Sequence, residues 1–351
     1  MRNRPPRRLF LRLVLAGKAK PKHLAFRMLA VTWFCFPPAV LAQNAAHPGA
    51  RTVMDAHNCY PYFEWWSDRI DRALSAGAPL AIEQDLAWYT DSKTGKSRSI
   101  VTHGPPGEGN EPTMKQYFFE RVRPVVEQAL RRGNRDQWPL ITLNLDFKTE
   151  EPEHVRAVRA LITEYRDWIT TARRTGEESK VEPLEVRPIL VLTGESDAQK
   201  RVFYDEVPAG GQLLVFGAAH TNERDHPMAP PEVLEPGGVT NYRRWWNNPW
   251  NVVEQGGQTQ AGEWTRADNL RLRALVEHAH RNGLWIRFYT LDGVDNKQDL
   301  SCHGWFSGYN FGSLDRAEAR WRAAIEAGVD YIASDQYEAL SRVIRENQTS
   351  T

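Results

Sequence analysis

Two acidic side chains interrupt the apolar run LAIEQDLAW. Glu83 and Asp85 are two positions apart, so on a β-strand both point to the same face. Farther along, LNLDFK places Asn144, Asp146 and Lys148 on one face in the same way. One lysine cannot balance three carboxylates that repel each other in a low-dielectric interior. The pattern therefore predicts that Glu83, Asp85 and Asp146 bind one divalent cation, Mg²⁺ or Ca²⁺, through their oxygen atoms.

A purely structural alternative remains for these acids, in which Lys148 and nearby arginines neutralise them without a cation. Two histidines favour chemistry at this place. His57 stands near the end of the strand-like segment TVMDAHNCY, and His103 closes SRSIVTH, which follows the acidic strand. An isolated loop histidine is usually only solvated or hydrogen-bonded. A pair beside a cation can supply a base and an acid near neutral pH, because imidazole titrates there.

The elements that must position these residues alternate between strand-like and helix-like segments. Repeated strand–helix units with apolar strands predict a parallel sheet covered by helices. About eight units predict a (β/α)8 TIM barrel in a single domain, whose catalytic residues gather at the carboxyl ends of the strands. A doubly wound open sheet is the alternative, but no glycine-rich phosphate motif follows the first strand. The pattern also predicts one long helix over residues 151–174 and irregular structure over residues 221–262.

The first 42 residues have the composition of a secretory signal peptide. Residues 1–27 carry nine Arg or Lys and no acid, and an apolar stretch of about 15 residues follows, with Val40 and Ala42 before the expected cleavage site. A retained membrane anchor is the alternative, but a spanning helix needs about 20 apolar residues and two prolines interrupt this stretch. We expect a secreted or periplasmic protein whose catalytic domain comprises residues 43–351.

Removal of the leader changes the charge of the chain. Without its nine basic residues, 36 of the 45 basic residues remain against 44 acidic ones, a net charge near −8. This balance argues against nucleic acid and anionic membranes as partners, and we expect a monomer without a transmembrane anchor. Cys59 and Cys302 remain and meet an oxidising compartment, where a bond between them is one possibility that spacing alone does not establish. Such a bond would pin the long loop over residues 295–312, which follows the seventh strand.

The ordered run that starts at His57 and continues through IEQDLAWYTDSKTGKSRSIVTH, LDFK and AGVDYIASD resembles the glycerophosphodiester phosphodiesterases. These are TIM barrels of the phospholipase C-like phosphodiesterase superfamily, and the match spans most of residues 52–340. The resemblance implies a hydrolase of lipid metabolism that cleaves glycerophosphodiester or phospholipid-headgroup bonds with the help of a metal. It implies metal binding by the three acids, an acid/base pair of His57 and His103, and contact between Lys148 and a phosphate oxygen.

The sequence departs from the family pattern at some of these motifs. His57 is followed by Asn58 and Cys59 where the family has Arg and Gly, so one phosphate-binding arginine is absent. His103 is followed by Gly where the family has Asp. Arg287 in the seventh strand, WIRFY, is a candidate to replace the missing arginine at the phosphate, and an ion pair is its alternative role.

Two other functions are alternatives, and the sequence disfavours the first of them. A metal-dependent amidohydrolase needs two histidines in an HxH motif on the first strand, where this chain has Asp55, Ala56 and His57. The 13 tryptophans are also compatible with a non-catalytic secreted barrel that binds carbohydrate or lipid. Packing in the core is the favoured role for these tryptophans, because each ring buries a large area.

Overall fold

The computed structural model describes residues 46–61, 67–104, 109–222, 224–289, 291–295 and 307–348. The predicted signal peptide and Cys302 lie outside these residues. The strands of the barrel are buried over most of their length, as expected of a sheet that is covered on both faces. The strands are β1 (Val53–Ala56), β2 (Leu80–Thr90), β3 (Ser97–Val101), β4 (Ile141–Phe147), β5 (Ala172–Arg173), β6 (Ile189–Thr193), β7 (Gln212–Leu213), β8 (Phe216–Ala218), β9 (Arg243–Pro249), β10 (Trp285–Tyr289) and β11 (Tyr331–Ser334).

The helices follow the strands and carry local signals for their ends. Thr265 and Asp268 form a reciprocal capping box at the start of one helix, and Ser313 caps the next. Gly133 ends an earlier helix in the left-handed conformation that glycine adopts without strain. The helices are α1 (Arg69–Ser75), α2 (Glu120–Arg132), α3 (Pro152–Glu164), α4 (Asp197–Lys200), α5 (Pro231–Leu234), α6 (Arg266–Arg281), α7 (Leu314–Ala327) and α8 (Tyr337–Gln348).

Eight parallel strands close into a barrel. They follow one another in the order β1, β2, β4, β6, β8, β9, β10 and β11, and β1 pairs with both β2 and β11. β3 pairs antiparallel with β2 and extends it as a hairpin outside the ring. The two short strands β5 and β7 form a separate sheet. The predicted TIM barrel is therefore confirmed.

Two local predictions were wrong. β9, the sixth strand of the barrel, lies in the region predicted to be irregular, because RRWWNNP lacks the alternation or apolar run that marks a strand. The long helix predicted over residues 151–174 ends at Glu164, and a 3₁₀ turn follows at Arg166–Trp168. The chain then becomes extended, because the N–H of Thr170 donates to the carbonyl of Ile189. Pairing with the sheet therefore outweighs the helical periodicity of the sequence here.

The tryptophans in and directly after β9 belong to the core. Trp245, Trp246 and Trp250 are 1%, 0% and 0% exposed, which confirms the packing role. The indole of Trp245 donates to the carbonyl of Thr193, which ties β9 to β6. Over the ranges that the structure describes, no helix has both the length and the apolar character needed to cross a bilayer.

Candidate active site

The carboxylates of Glu83, Asp85 and Asp146 converge at one end of the barrel. β2 and β4 are parallel neighbours, and their register sets Glu83 beside Asn144 and Asp85 beside Asp146. One ligand atom from each acid lies within 4.8 Å of the others. Glu83 and Asp85 are 3% and 0% exposed, and Asp146 is partly exposed at the mouth. The structure thus brings together all three predicted metal ligands.

The environment of Asp85 fits a bound cation. Neither of its buried oxygens accepts a hydrogen bond from the residues described. Lys148 Nζ lies 3.3 Å from Asp85 and 2.8 Å from Asp146, so one ammonium group serves two carboxylates. Burial and the charge of Glu83 raise the pKa of Asp85 well above its usual range. A divalent ion with oxygen ligands would supply the missing positive charge at this carboxylate.

Arg287 lies beneath these acids as a buried bridge. Its guanidinium donates to Asp55 at 2.5 Å, to Asn247 at 3.0 Å and also to Glu83. The side chain of Arg287 is 3% exposed, although it contributes to the wall of the pocket. The ion-pair role that the sequence left open is therefore what the structure shows, and it fixes the orientation of Glu83.

We expect Arg287→Met to destabilise the protein by about 3–5 kcal/mol, because Asp55 and Glu83 would remain buried without their cation. Urea unfolding followed by circular dichroism measures the change. Arg273→Met, on the exposed face of α6, is the matched control and should change the free energy of unfolding by less than about 0.5 kcal/mol. A loss below about 1 kcal/mol for Arg287→Met would contradict the bridging role. Adding Asp55→Asn should recover part of the loss.

His57 is held by an acid from the last strand of the barrel. Its Nδ1–H donates to Asp335 at 2.8 Å, and its Nε2 lies 3.8 Å from Glu83 Oε1. Asp335 also accepts hydrogen bonds from Asn58 at 3.2 Å and from Arg69 at 3.3 Å. Burial disfavours the charged imidazole, but Glu83 and Asp335 outweigh it and raise the pKa of His57 to about 9.

The backbone at His57 is also fixed. Arg69 in α1 donates to the carbonyls of His57 and Asn58, and the Tyr337 hydroxyl donates to the carbonyl of His57 at 2.6 Å. Asn58 has φ of 52°, a left-handed conformation that asparagine tolerates better than most residues. Sequence reasoning assigned no role to Asp335 or Arg69. An acid directly after the last apolar strand was the available signal for Asp335.

His103 lines the same pocket as His57. It follows β3, its side chain is partly open to solvent, and its ring centroid lies 5.8 Å from that of Tyr60. Partial burial of the ring and the positive charge of Lys148 lower the pKa of His103. Both histidines and two of the acids line one cavity of about 280 Å³. Its other walls include Asn58, Asn144, Leu145, Lys148, Gly194, Trp245, Asn247, Arg287, Tyr289 and Tyr309.

A second acid lies behind His57. Asp292 Oδ1 accepts hydrogen bonds from the Ser334 hydroxyl at 2.6 Å and from Asp335 N–H at 2.8 Å. Burial and the neighbouring Asp335 carboxylate raise the pKa of Asp292 to about 7. The folded protein therefore binds more protons than the unfolded chain between about pH 4 and pH 7. Through this group, stability falls as the pH rises across that interval.

We expect Asp292→Asn to remove this pH dependence, because the amide keeps the oxygen that accepts both hydrogen bonds and never ionises. When the pH is raised from 5 to 8, the free energy of unfolding of the variant should increase by roughly 2–4 kcal/mol relative to that of wild type. Guanidinium unfolding at the two pH values measures the difference. Asp315→Asn, at the partly exposed start of α7, should show no such gain. If Asp292→Asn and wild type differed in free energy of unfolding by the same amount at both pH values, ionisation of Asp292 in this range would be contradicted.

Cys59 is a buried free cysteine, and burial raises the pKa of its thiol. The proposed partner Cys302 and much of the loop after the seventh strand lie outside the described residues, so the predicted bond stays a prediction.

Glycerophosphodiester phosphodiesterases are among the solved structures to which the chain is similar. No protein-family model and no curated protein matches the chain. A glycerophosphoryl diester phosphodiesterase from Parabacteroides distasonis is 13% identical, with a TM-score of 0.42 over 85% of this chain and 87% of that one. One from Agrobacterium tumefaciens is 13% identical, with a TM-score of 0.37 over 83% and 99%.

A different kind of protein is equally similar in structure. The wild-type HPPK-DHPS of Plasmodium falciparum is 8% identical, with a TM-score of 0.44 over 86% of this chain and 49% of that one. At these scores the similarities do not select one activity over another. The choice between activities therefore depends on the side chains of the site.

Proposed function

We propose that this protein is a metal-dependent phosphodiesterase that cleaves glycerophosphodiester or phospholipid-headgroup phosphodiester bonds. One observation carries the proposal. Three carboxylates from adjacent strands converge, and two of them line a cavity that is also lined by Lys148, His57 and His103. Asp85 contributes two buried oxygens that accept no hydrogen bond from the described part of the chain. This combination suits a cation and an anionic substrate together.

In this proposal each charged residue of the site has a role that follows from its position. Glu83, Asp85 and Asp146 would hold Mg²⁺ or Ca²⁺, which supplies charge neutralisation for the phosphate oxygens when bound. Lys148, next to two of these acids, adds a positive charge that is available to a phosphate oxygen. The guanidinium of Arg287 is already paired with Asp55 and Glu83, so Arg287 would support the phosphate site mainly by orienting Glu83.

The two histidines would move the protons of the reaction. One imidazole accepts a proton from the attacking hydroxyl, and the other donates a proton to the leaving alcohol. Asp335 holds the Nδ1 side of His57, so Nε2 is the atom directed toward the acids and the reaction. His103 lines the same cavity and is exposed, so it is accessible to an incoming or departing hydroxyl. Both imidazoles are therefore available to a phosphodiester bound in this cavity.

We also propose that the protein is secreted or periplasmic and acts as a monomer on small-molecule or lipid substrates. The basic start, apolar stretch and small residues of the first 42 residues support export. The acidic balance of residues 43–351 gives no support for nucleic acid as a partner. N-terminal sequencing of the exported protein tests the cleavage site before Gln43.

Metal dependence is the direct test of the proposed activity. Hydrolysis of glycerophosphocholine and bis(p-nitrophenyl) phosphate should require Mg²⁺ or Ca²⁺ and fall at least about 100-fold after dialysis against chelator. Readdition of the ion should restore the rate. Hydrolysis that chelator does not affect would contradict the proposal. Binding of sugars by a protein that shows no hydrolysis with any added metal would support the non-catalytic alternative.

A further inference from the structure

A second cavity adjoins the pocket that contains the acids. It has a volume of about 350 Å³ and lies at the carboxyl ends of β6, β8 and β9. We call it the side cavity. Gly194, Asn247 and Tyr289 belong to the walls of both cavities. A molecule whose phosphate lies at the acids can therefore extend into the side cavity without leaving the mouth of the barrel.

The walls of the side cavity combine six apolar residues with a set of polar and charged ones. Two of the six apolar residues are alanines at the end of β8, which leave space that a larger side chain would fill. Leu234 and Val252 are buried, so their side chains form a fixed surface rather than a mobile rim. The apolar lining consists of Ala218, Ala219, Pro227, Leu234, Pro249 and Val252.

Most polar groups in these walls already have protein partners. Glu195 pairs with Arg224 and also accepts a hydrogen bond from the N–H of Thr221 at 3.0 Å. The hydroxyl of Thr221 accepts from the indole of Trp246 at 3.0 Å. Asn251 differs, because its buried Oδ1 accepts no hydrogen bond from any described residue. That oxygen has almost no accessible surface, so the cavity offers a ligand its apolar side chains and polar groups that are already paired.

We propose that the side cavity binds the alcohol portion of the phosphodiester and selects an apolar alcohol. The proposal rests on the proposed function, because the phosphate must lie at the acids for the alcohol to reach this cavity. Glycerol or choline alone would leave the apolar walls uncovered. An alkyl chain gains affinity from each methylene that leaves water. The enzyme would therefore prefer phosphodiesters of apolar alcohols over those of small polar ones.

Alkyl phosphates of increasing chain length test the selection directly. Methyl, butyl and hexyl phosphate are titrated into the wild-type protein by calorimetry in the presence of Mg²⁺. We expect the association constant to rise about threefold to fourfold for each methylene that the cavity buries. An affinity that is the same for all three phosphates would overturn the proposal.

A variant that fills the cavity separates this effect from general hydrophobic binding. Ala219→Leu should reduce the gain from methyl to hexyl phosphate to less than about twofold and leave methyl phosphate affinity unchanged. Ala209→Leu, an exposed alanine outside both cavities, should keep the full gain. An undiminished gain in a folded Ala219→Leu protein would overturn the proposal. Circular dichroism establishes that the variant is folded.

The same experiment distinguishes failure of the side cavity from failure of the proposed function. If methyl phosphate itself binds with neither Mg²⁺ nor Ca²⁺ present, the phosphate site and with it the proposed function are contradicted. The cavity is then tested alone by titration of hexan-1-ol. Binding to wild type and its loss in Ala219→Leu would support an apolar site, and no binding to wild type would overturn it.

Discussion

His57→Ala is expected to lower kcat/KM for glycerophosphocholine and bis(p-nitrophenyl) phosphate by about 10²–10⁴-fold, the usual contribution of a general acid or base. The imidazole is held on its Nδ1 side by Asp335, and its other nitrogen faces Glu83. Alanine removes the group that would transfer the proton but leaves Asp335 paired with Arg69. Steady-state hydrolysis with saturating Mg²⁺ or Ca²⁺ measures the change.

Two controls distinguish lost chemistry from lost structure. Added imidazole should recover part of the rate of His57→Ala, because the substitution leaves space for it, whereas a misfolded site would not respond. His226→Ala, at an exposed position outside the pocket, should keep the wild-type rate. Retention of more than about one third of the wild-type kcat/KM by His57→Ala would refute the proposed acid/base role.

Asp335→Asn tests how His57 is positioned. The amide keeps an oxygen that can accept from His57 but loses the negative charge that raises the pKa of the imidazole. We therefore expect Asp335→Asn to lower kcat/KM by less than His57→Ala does. The pH profile of kcat/KM should shift toward lower pH, which a merely structural defect would not produce.

Asp85→Asn should abolish stabilisation by metal while it stabilises the metal-free protein. At a metal concentration 100 times the dissociation constant, binding adds about 2.7 kcal/mol to the wild type, a rise of roughly 5 °C in Tm. The variant lacks one carboxylate ligand, so this rise should largely disappear. In chelator its Tm should exceed that of wild type, because a buried carboxylate without hydrogen bonds is replaced by a neutral group of the same shape.

Differential scanning calorimetry with chelator, Mg²⁺ and Ca²⁺ measures both effects and identifies the preferred ion. Asp136→Asn, an exposed acid before β4, should respond to metal as the wild type does. An equal metal-induced rise in Tm for Asp85→Asn and wild type would show that the ion binds elsewhere. A lower Tm for Asp85→Asn in chelator would show that Lys148 alone satisfies the carboxylate.

The acidic cluster was predictable because its signal is local in sequence. Glu83 and Asp85 follow the period of a strand, and Asn144 and Asp146 repeat it, so the shared face could be derived from each strand alone. To predict that β2 pairs with β4, it was enough to assume that parallel strands that follow one another in the chain are neighbours in the sheet. β9 was missed because its burial comes from packing of Trp245 and Trp246 against the barrel, which its own sequence pattern does not indicate.

The partners of the proposed catalytic and metal-binding groups could not be predicted in the same way. Asp335 is 278 residues from His57 in sequence, and Arg287 is 204 residues from Glu83. Such contacts form because the barrel closes through the pairing of β1 with β11, which brings the last strand beside the first. The ion pair of Arg287 therefore became visible only once the barrel was closed.

Residue order was enough to predict the strand–helix alternation, the acids on two neighbouring strands and the two histidines in order around them. Each of these follows from side-chain periodicity within one element or from the order of adjacent elements. The folded barrel was needed to establish which charge neutralises which, how His57 is held and where the side cavity lies. Those outcomes depend on distances between residues far apart in the chain, which are set by closure of the barrel and by packing of its interior.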